Sequence, residues 1–200
     1  NLGTDVKRML DKENNGSIDF YVPAAEKGAF GPGAGCIIEK KWHQKFMKPF
    51  LWDCDIWHAP FQSGRIVPAA NKKIKILLTI HDLNCLHEGK SVKEQMQSLQ
   101  KTQQLIDHSH ALVCISNHCK KDVLENMDLK DKPVYVIHNG THHVNIPPAR
   151  PTGYFPARPF LFTMGYVNQK KNFHTLISLL KDEGLELIVA GKLDDADYVQ

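Results

Sequence analysis

A histidine and an aspartate stand directly after a short apolar segment of this chain. Residues 74–80 have the length and branched aliphatic content of a buried strand, and His81 and Asp82 follow at once. An open α/β sheet binds its ligand beyond the carboxyl ends of its strands, and an imidazole there can hold a hydroxyl or orient a nucleophile. We therefore expect His81 and Asp82 to be catalytic. The alternative is that the pair only caps the strand and fixes the next loop.

A second apolar segment is followed by groups suited to an anion. Residues 160–164 end at Gly165, and Lys170 and Lys171 come shortly afterwards, before an apolar helical pattern. A glycine lets a ligand approach the backbone, while lysines and a helix N-terminus favour phosphate. The two segments together predict a site for a phosphorylated ligand with a polar reacting group opposite.

The overall charge argues against nucleic acid as the main partner. The 200 residues carry a formal net charge of +3, which is mild for a nucleic-acid-binding protein. No apolar stretch approaches the length that spans a bilayer. Residues 39–52 alternate lysines with large apolar groups, which favours a surface helix and leaves peripheral contact with an anionic membrane as the alternative.

The five cysteines are odd in number and scattered, as expected for reduced thiols in a cytosolic protein. A zinc site would need paired spacing such as C-x-x-C. The groupings of Cys114 with His118 and Cys119, or of Cys85 with His87, imitate it only weakly. We therefore expect no metal site.

Strands alternate with helices along most of the chain. A capping box at Ser91–Glu94 opens the clearest helix, and Ser116 or Asn117 caps another. Near-continuous apolar strands separated by helices predict an α/β fold with a doubly wound parallel sheet covered on both faces. The expected strands are 18–22, 55–58, 74–80, 111–116, 134–138, 160–164 and 185–190. The glycine-rich residues 28–35 are predicted to be a mobile loop.

A proline-rich segment divides the chain into two parts. Residues 146–159 contain five prolines and no periodic pattern, which indicates a linker between residues 1–145 and residues 160–200. The second part holds one β-α-β unit, which cannot bury both faces of its strands, so apolar surface should be exposed there. The start is polar and without methionine, so we expect an excerpt of a longer protein that lacks the first strand.

The order of these motifs resembles the retaining glycosyltransferases of family 4, enzymes of the GT-B type with two facing Rossmann-like domains. The resemblance covers nearly the whole chain through six short stations in matching order: 55–58, 79–83, 113–117, 136–140, 164–172 and 188–191. It implies an N-terminal acceptor-side domain and the start of a C-terminal domain that binds a nucleotide-diphosphate sugar. No cofactor is implied, since the nucleotide sugar is a substrate.

The resemblance also implies roles for individual residues. His81 matches a histidine placed next to the sugar and the acceptor, and Asp82 follows it in many members. The implied donor-binding residues are Gly3, Asn139, Gly140, Gly165, Lys170 and Lys171, and the acceptor-side residues are His58, Ser116 and Asn117. Each of these assignments has a structural alternative. Ser116 and Asn117 are expected primarily to cap a helix, and Asn139-Gly140 is an ordinary turn pair. His58 could equally be a buried structural histidine.

Two features depart from the family pattern. Tyr166 stands where the family usually has an arginine after the glycine, so either Lys170 substitutes for that cation or the donor is held differently. A paired-glutamate motif would fall beyond Gln200, so the fragment alone is expected to be inactive. The resemblance implies transfer of sugar to a glycan or lipid-linked acceptor in polysaccharide biosynthesis, in the cytoplasm or at the inner membrane face. The alternatives are a GT-B-like epimerase and a catalytically silent binding module.

Overall fold

The computed structural model describes residues 16–31, 34–39, 54–62, 67–69, 71–140, 147, 149, 153, 156–181 and 184–199. The chain divides into two compact units, residues 1–143 and residues 144–200. Residues 1–15 and nearly all of the basic aromatic segment 39–52 lie outside the described residues, as does most of the expected linker. Within the described part of the chain, no helix is both long enough and apolar enough to cross a membrane.

The first unit is built around a four-stranded parallel sheet. Its strands are β3 (Ile56–Ala59), β4 (Lys75–Ile80), β5 (Ala111–Cys114) and β6 (Val134–Val136), arranged in chain order. The connections carry helix α1 (Val92–His108), helix α2 (Asn117–Asn126) and a 3-10 turn at Asn84–Leu86. This parallel α/β arrangement is the one expected from the sequence and is consistent with a Rossmann-like fold of the GT-B type.

The core of the first unit lies on β4 and β5. Leu78, Ile80, Leu112 and Cys114 are almost fully buried, and they pack with residues of the two helices such as Ile106. Successive residues are buried in the second half of β4 and in β5 after its first residue, as parallel strands covered on both faces require. The carboxyl edge of the sheet, where these strands end, is therefore supported by a packed hydrophobic core.

Local sequence features begin both helices of the first unit. The Ser91 side chain accepts a hydrogen bond from the backbone N–H of Glu94, and the Glu94 carboxylate accepts one from the backbone N–H of Ser91. Ser116 Oγ accepts a hydrogen bond from the backbone N–H of Cys119 at 3.1 Å and caps α2. The capping box and the Ser116 cap are both confirmed.

A separate two-stranded parallel sheet precedes the main one. It pairs β1 (Asp19–Val22) with β2 (Gly35–Ile38), and a 3-10 turn at Ala24–Glu26 lies between them. The prediction of a loop over residues 28–35 was wrong at its end, because Gly35 already pairs with Asp19. Glycines lower strand propensity, but pairing with β1 outweighs that local preference.

The second unit contains the parallel pair β7 (Phe160–Met164) and β8 (Glu186–Ala190), 3-10 segments at Gln169–Lys171 and Phe173–Leu180, and α3 (Ala196–Val199). A helix was expected over the second of these 3-10 segments. Alternate residues of β7 are exposed, with Phe160, Phe162 and Met164 on the open face. The expected exposure of apolar surface in this unit is confirmed.

Candidate functional site

His81 lies just beyond the carboxyl end of β4, where its ring is held by the segment that follows β3. Its Nε2 is 2.9 Å from the carbonyl oxygen of Pro60, and the Phe61 ring centroid is 5.0 Å from the imidazole centroid. A carbonyl oxygen only accepts hydrogen bonds, so Nε2 must carry the proton. In the neutral ring, Nδ1 is then the acceptor, which could receive a proton or hydrogen bond from a substrate hydroxyl.

Gln62 holds the backbone on both sides of this histidine. Its Oε1 accepts a hydrogen bond from the backbone N–H of His81 at 3.0 Å, and its Nε2 donates to the carbonyl oxygen of Asp82 at 3.0 Å. One amide thus satisfies a donor and an acceptor of adjacent residues and fixes the exit of β4. The sequence analysis missed Gln62, since nothing in the local pattern marks a glutamine contacting residues so distant in the chain.

We expect Gln62→Ala to lower the free energy of unfolding by about 1–3 kcal/mol, since two hydrogen bonds are lost and part-buried backbone groups lose their partners. Chemical denaturation followed by circular dichroism measures the change. Gln104→Ala is the control, because Gln104 is an exposed residue of α1. An equal change in the two variants would contradict the bracing role of Gln62.

Asp82 caps the turn that follows it. Its Oδ1 accepts a hydrogen bond from the backbone N–H of Asn84 at 3.0 Å, which supports the 3-10 turn Asn84–Leu86. Asp82 and Gln62 also line a pocket of ≈ 170 Å³, which Ser98 and Thr102 of α1 border as well. The carboxylate therefore supports the loop, and Asp82 is at the same time one of the residues that line the pocket.

His58 lies on β3 and contacts the neighbouring strand. Its Nε2 is 2.9 Å from Thr79 Oγ1. Desolvation of the ring lowers the pKa of His58 from its ordinary value, so the imidazole is neutral at neutral pH. A neutral ring bonded to a threonine hydroxyl can serve as a structural tie between β3 and β4, and it stays a candidate for the acceptor side.

The remaining candidates of the first unit occupy strand ends and loops. Ser116 uses its hydroxyl to cap α2, and Asn117 is the first residue of that helix. Asn139 and Gly140 are exposed in the loop after β6, and a methyl group on Gly140 would meet no atom within 4 Å among the residues that the structure describes. Gly3 lies outside the described residues.

In the second unit, Gly165 and Lys171 lie next to each other. Gly165 follows β7 with a φ of 151°, a conformation that residues with a side chain rarely adopt. A methyl group built on it would lie 3.6 Å from Lys171 Cε and 3.5 Å from Phe173 Cζ. The lysine side chain thus passes over the glycine at the carboxyl end of β7.

The turn that carries the lysines is braced by asparagines. Asn168 Oδ1 accepts a hydrogen bond from the backbone N–H of Lys171 at 3.2 Å, and Asn172 adopts a left-handed conformation with φ 55°. Lys170 and Lys171 are both exposed on this turn. The backbone N–H of Gly165 already donates to the carbonyl oxygen of Ala190 at 3.0 Å, so Gly165 does not offer that donor to an anion.

Two comparisons with known proteins bear on this site. The sequence model described as Glycosyltransferase Family 4 matches residues 28–144, more than half of the 200 residues. The match includes β2 to β6 and both sides of His81. No curated protein matches the chain.

Proposed function

The chain belongs to glycosyltransferase family 4, and we propose that it moves a sugar from a nucleotide-diphosphate sugar to a glycan or lipid-linked acceptor with retention of anomeric configuration. The bond between the anomeric carbon and the diphosphate oxygen breaks, and the acceptor oxygen bonds to the same face of the sugar. The nucleoside diphosphate leaves, and its departing oxygen takes up the proton that the acceptor hydroxyl gives up. We place this reaction in polysaccharide biosynthesis, in the cytoplasm or at the inner membrane face.

The donor side of the proposal rests on one observation, which is that the Lys171 side chain lies over Gly165. A departing nucleoside diphosphate gains negative charge in the transition state, and a preplaced cation stabilises that charge. Lys171 is exposed and is braced through Asn168, so its ammonium group can meet a diphosphate without moving the backbone. Lys170 adds a second cation on the same turn.

The acceptor side of the proposal rests on His81. Its proton is on Nε2, facing Pro60, so in the neutral ring Nδ1 is an acceptor for a hydroxyl group. A hydroxyl of the sugar or of the acceptor that donates to Nδ1 would be oriented for reaction. Gln62 fixes the backbone at this position, which favours a preorganised contact over a mobile one.

We expect Lys171→Ala to weaken nucleotide-sugar binding about ten- to two-hundredfold. This range corresponds to the roughly 1.5–3 kcal/mol contributed by a hydrogen bond to a charged group. Calorimetric titration of the full-length protein with UDP- and GDP-sugars measures the effect.

Lys181→Ala is the matched control, because it removes an exposed lysine from the end of the 3-10 segment Phe173–Leu180 in the same unit. It should leave donor affinity unchanged. Unaltered affinity in Lys171→Ala would remove this lysine from the donor site.

Tyr166 favours one competing proposal, a catalytically silent binding module. It follows Gly165 directly, is 56% exposed, and brings a phenol where the family pattern usually has a guanidinium. Absence of both binding and hydrolysis of every nucleotide sugar tested would favour this second function. An epimerase is separated from a transferase by its products, since it returns an altered nucleotide sugar without any acceptor.

A further inference from the structure

Two histidines and an aspartate, none of them assigned above to donor or acceptor, meet on the first unit. His87 follows the 3-10 turn Asn84–Leu86, while His118 and Asp122 stand four residues apart on α2. His87 Nε2 lies 2.8 Å from Asp122 Oδ2, and His118 Nε2 lies 3.7 Å from the same oxygen. The ligand atoms of the three residues all lie within 4.8 Å of one another.

We propose that His87, His118 and Asp122 form a binding site for a divalent transition-metal cation, with Zn²⁺ the best match. Imidazole nitrogen and carboxylate oxygen are ligands that Zn²⁺ takes in proteins, commonly as three protein ligands with one open position. The sequence analysis expected no metal site, because no paired spacing such as C-x-x-C is present. His87 is remote in sequence from His118 and Asp122, so their grouping leaves no local pattern.

The separations are close to those of a tetrahedral site. Ligand atoms about 2.1 Å from Zn²⁺ lie about 3.4 Å apart along the edges of a tetrahedron. The observed separations of 2.8 Å and 3.7 Å bracket that value, so an ion would part the first pair slightly and draw in the second. The first pair would part by about 0.6 Å and the second would close by about 0.3 Å. The two imidazole nitrogens, which lie within 4.8 Å of each other, would close by up to about 1.4 Å, a shift that rotation of the exposed histidine side chains supplies.

Exposure divides the three residues into a fixed ligand and two adjustable ones. The Asp122 side chain is only 10% exposed, whereas those of His87 and His118 are 51% and 74% exposed. The aspartate is thus held by its surroundings, and the imidazoles can turn toward an ion from the solvent side. The same exposure leaves room for water at the fourth position.

Metal binding would join two segments at the carboxyl edge of the main sheet. His87 belongs to the loop that begins with His81 and Asp82, and His118 belongs to the first turn of α2, which Ser116 caps. In the metal-free chain the link between them is the bond between His87 and Asp122, in which the ring nitrogen donates to the carboxylate. A cation would replace that proton and add His118 as a further attachment.

Titration with Co²⁺, followed by its visible absorption and then by displacement with Zn²⁺, tests the proposal. We expect one ion per chain, the intense visible bands of a four-coordinate site, and none of the near-ultraviolet bands of a cobalt–thiolate bond. Bound Zn²⁺ should also raise the melting temperature, because it binds the folded chain. These measurements do not depend on transferase activity.

His118→Ala should weaken Co²⁺ binding by at least about tenfold, the loss that even residues outside the ligand set produce. Asp122→Asn, which keeps the side-chain shape, should do the same. His108→Ala is the matched control, because it removes an exposed histidine from the last turn of α1 and should bind as the unaltered chain does. Equal affinity in His118→Ala and His108→Ala, thiolate bands, or no binding by the unaltered chain would overturn the proposal.

Discussion

Replacing Gly191 by alanine is expected to separate the ends of β7 and β8 and to cost at least about 3 kcal/mol of stability in the second unit, the upper end of what overpacking causes. A methyl group on Gly191 would lie 1.7 Å from the carbonyl oxygen of Gly165 and 2.7 Å from its carbonyl carbon. Backbone atoms cannot rotate away as a side chain can. The hydrogen bond from Gly165 N–H to Ala190 should therefore be lost or lengthened.

Hydrogen–deuterium exchange of residues 160–164 and 186–190 measures this effect directly. Exchange should accelerate in both segments, and donor binding should fall, because Gly165 borders the space proposed for the diphosphate. Gly153→Ala is the control, since a methyl group there would meet no atom of the described residues within 4 Å and the residue belongs to the same unit. Protection in Gly191→Ala equal to that in the control would show that the two strand ends do not depend on this close approach.

Replacing His81 by alanine is expected to lower kcat about a hundredfold, the size of loss that misplacement of a reacting group causes. The variant removes Nδ1, the proposed acceptor for a substrate hydroxyl, together with the bond from Nε2 to Pro60. The Gln62 bonds to the backbone of residues 81 and 82 do not require the imidazole, so the loop should keep its course. Steady-state kinetics with donor and acceptor varied separately gives kcat and KM.

His108→Ala serves as the control for this experiment, since it removes an imidazole from the surface of the same unit. Donor affinity should stay unchanged in the control and should change much less than kcat in His81→Ala, because the diphosphate contacts are proposed for the second unit. A kcat in His81→Ala within about threefold of the control would assign His81 to the alternative role of capping the strand and fixing the loop.

Part of the fold could be predicted because the responsible interactions are local. The capping box at Ser91–Glu94 and the Ser116 cap join groups three residues apart, and both stand where the sequence places them. The apolar runs that became β4, β5, β7 and β8 are recognisable for the same reason. The expected helix after Asn172 is instead a 3-10 segment. Strand β2 was not predicted, because it begins with a glycine and its pairing with β1 is a contact between residues distant in sequence.

The sequence by itself determined the family, the alternation of strands and helices, and the strand ends at which His81 and Gly165 stand, because each follows from neighbouring residues and their order. Only the tertiary structure decided which atoms meet there. Three contacts join residues that are distant along the chain. They are the hydrogen bonds of the Gln62 amide to the backbone of residues 81 and 82, the close approach of Gly191 to Gly165, and the bond between His87 and Asp122. Such contacts leave no local pattern, since packing of the sheet and helices brings their partners together.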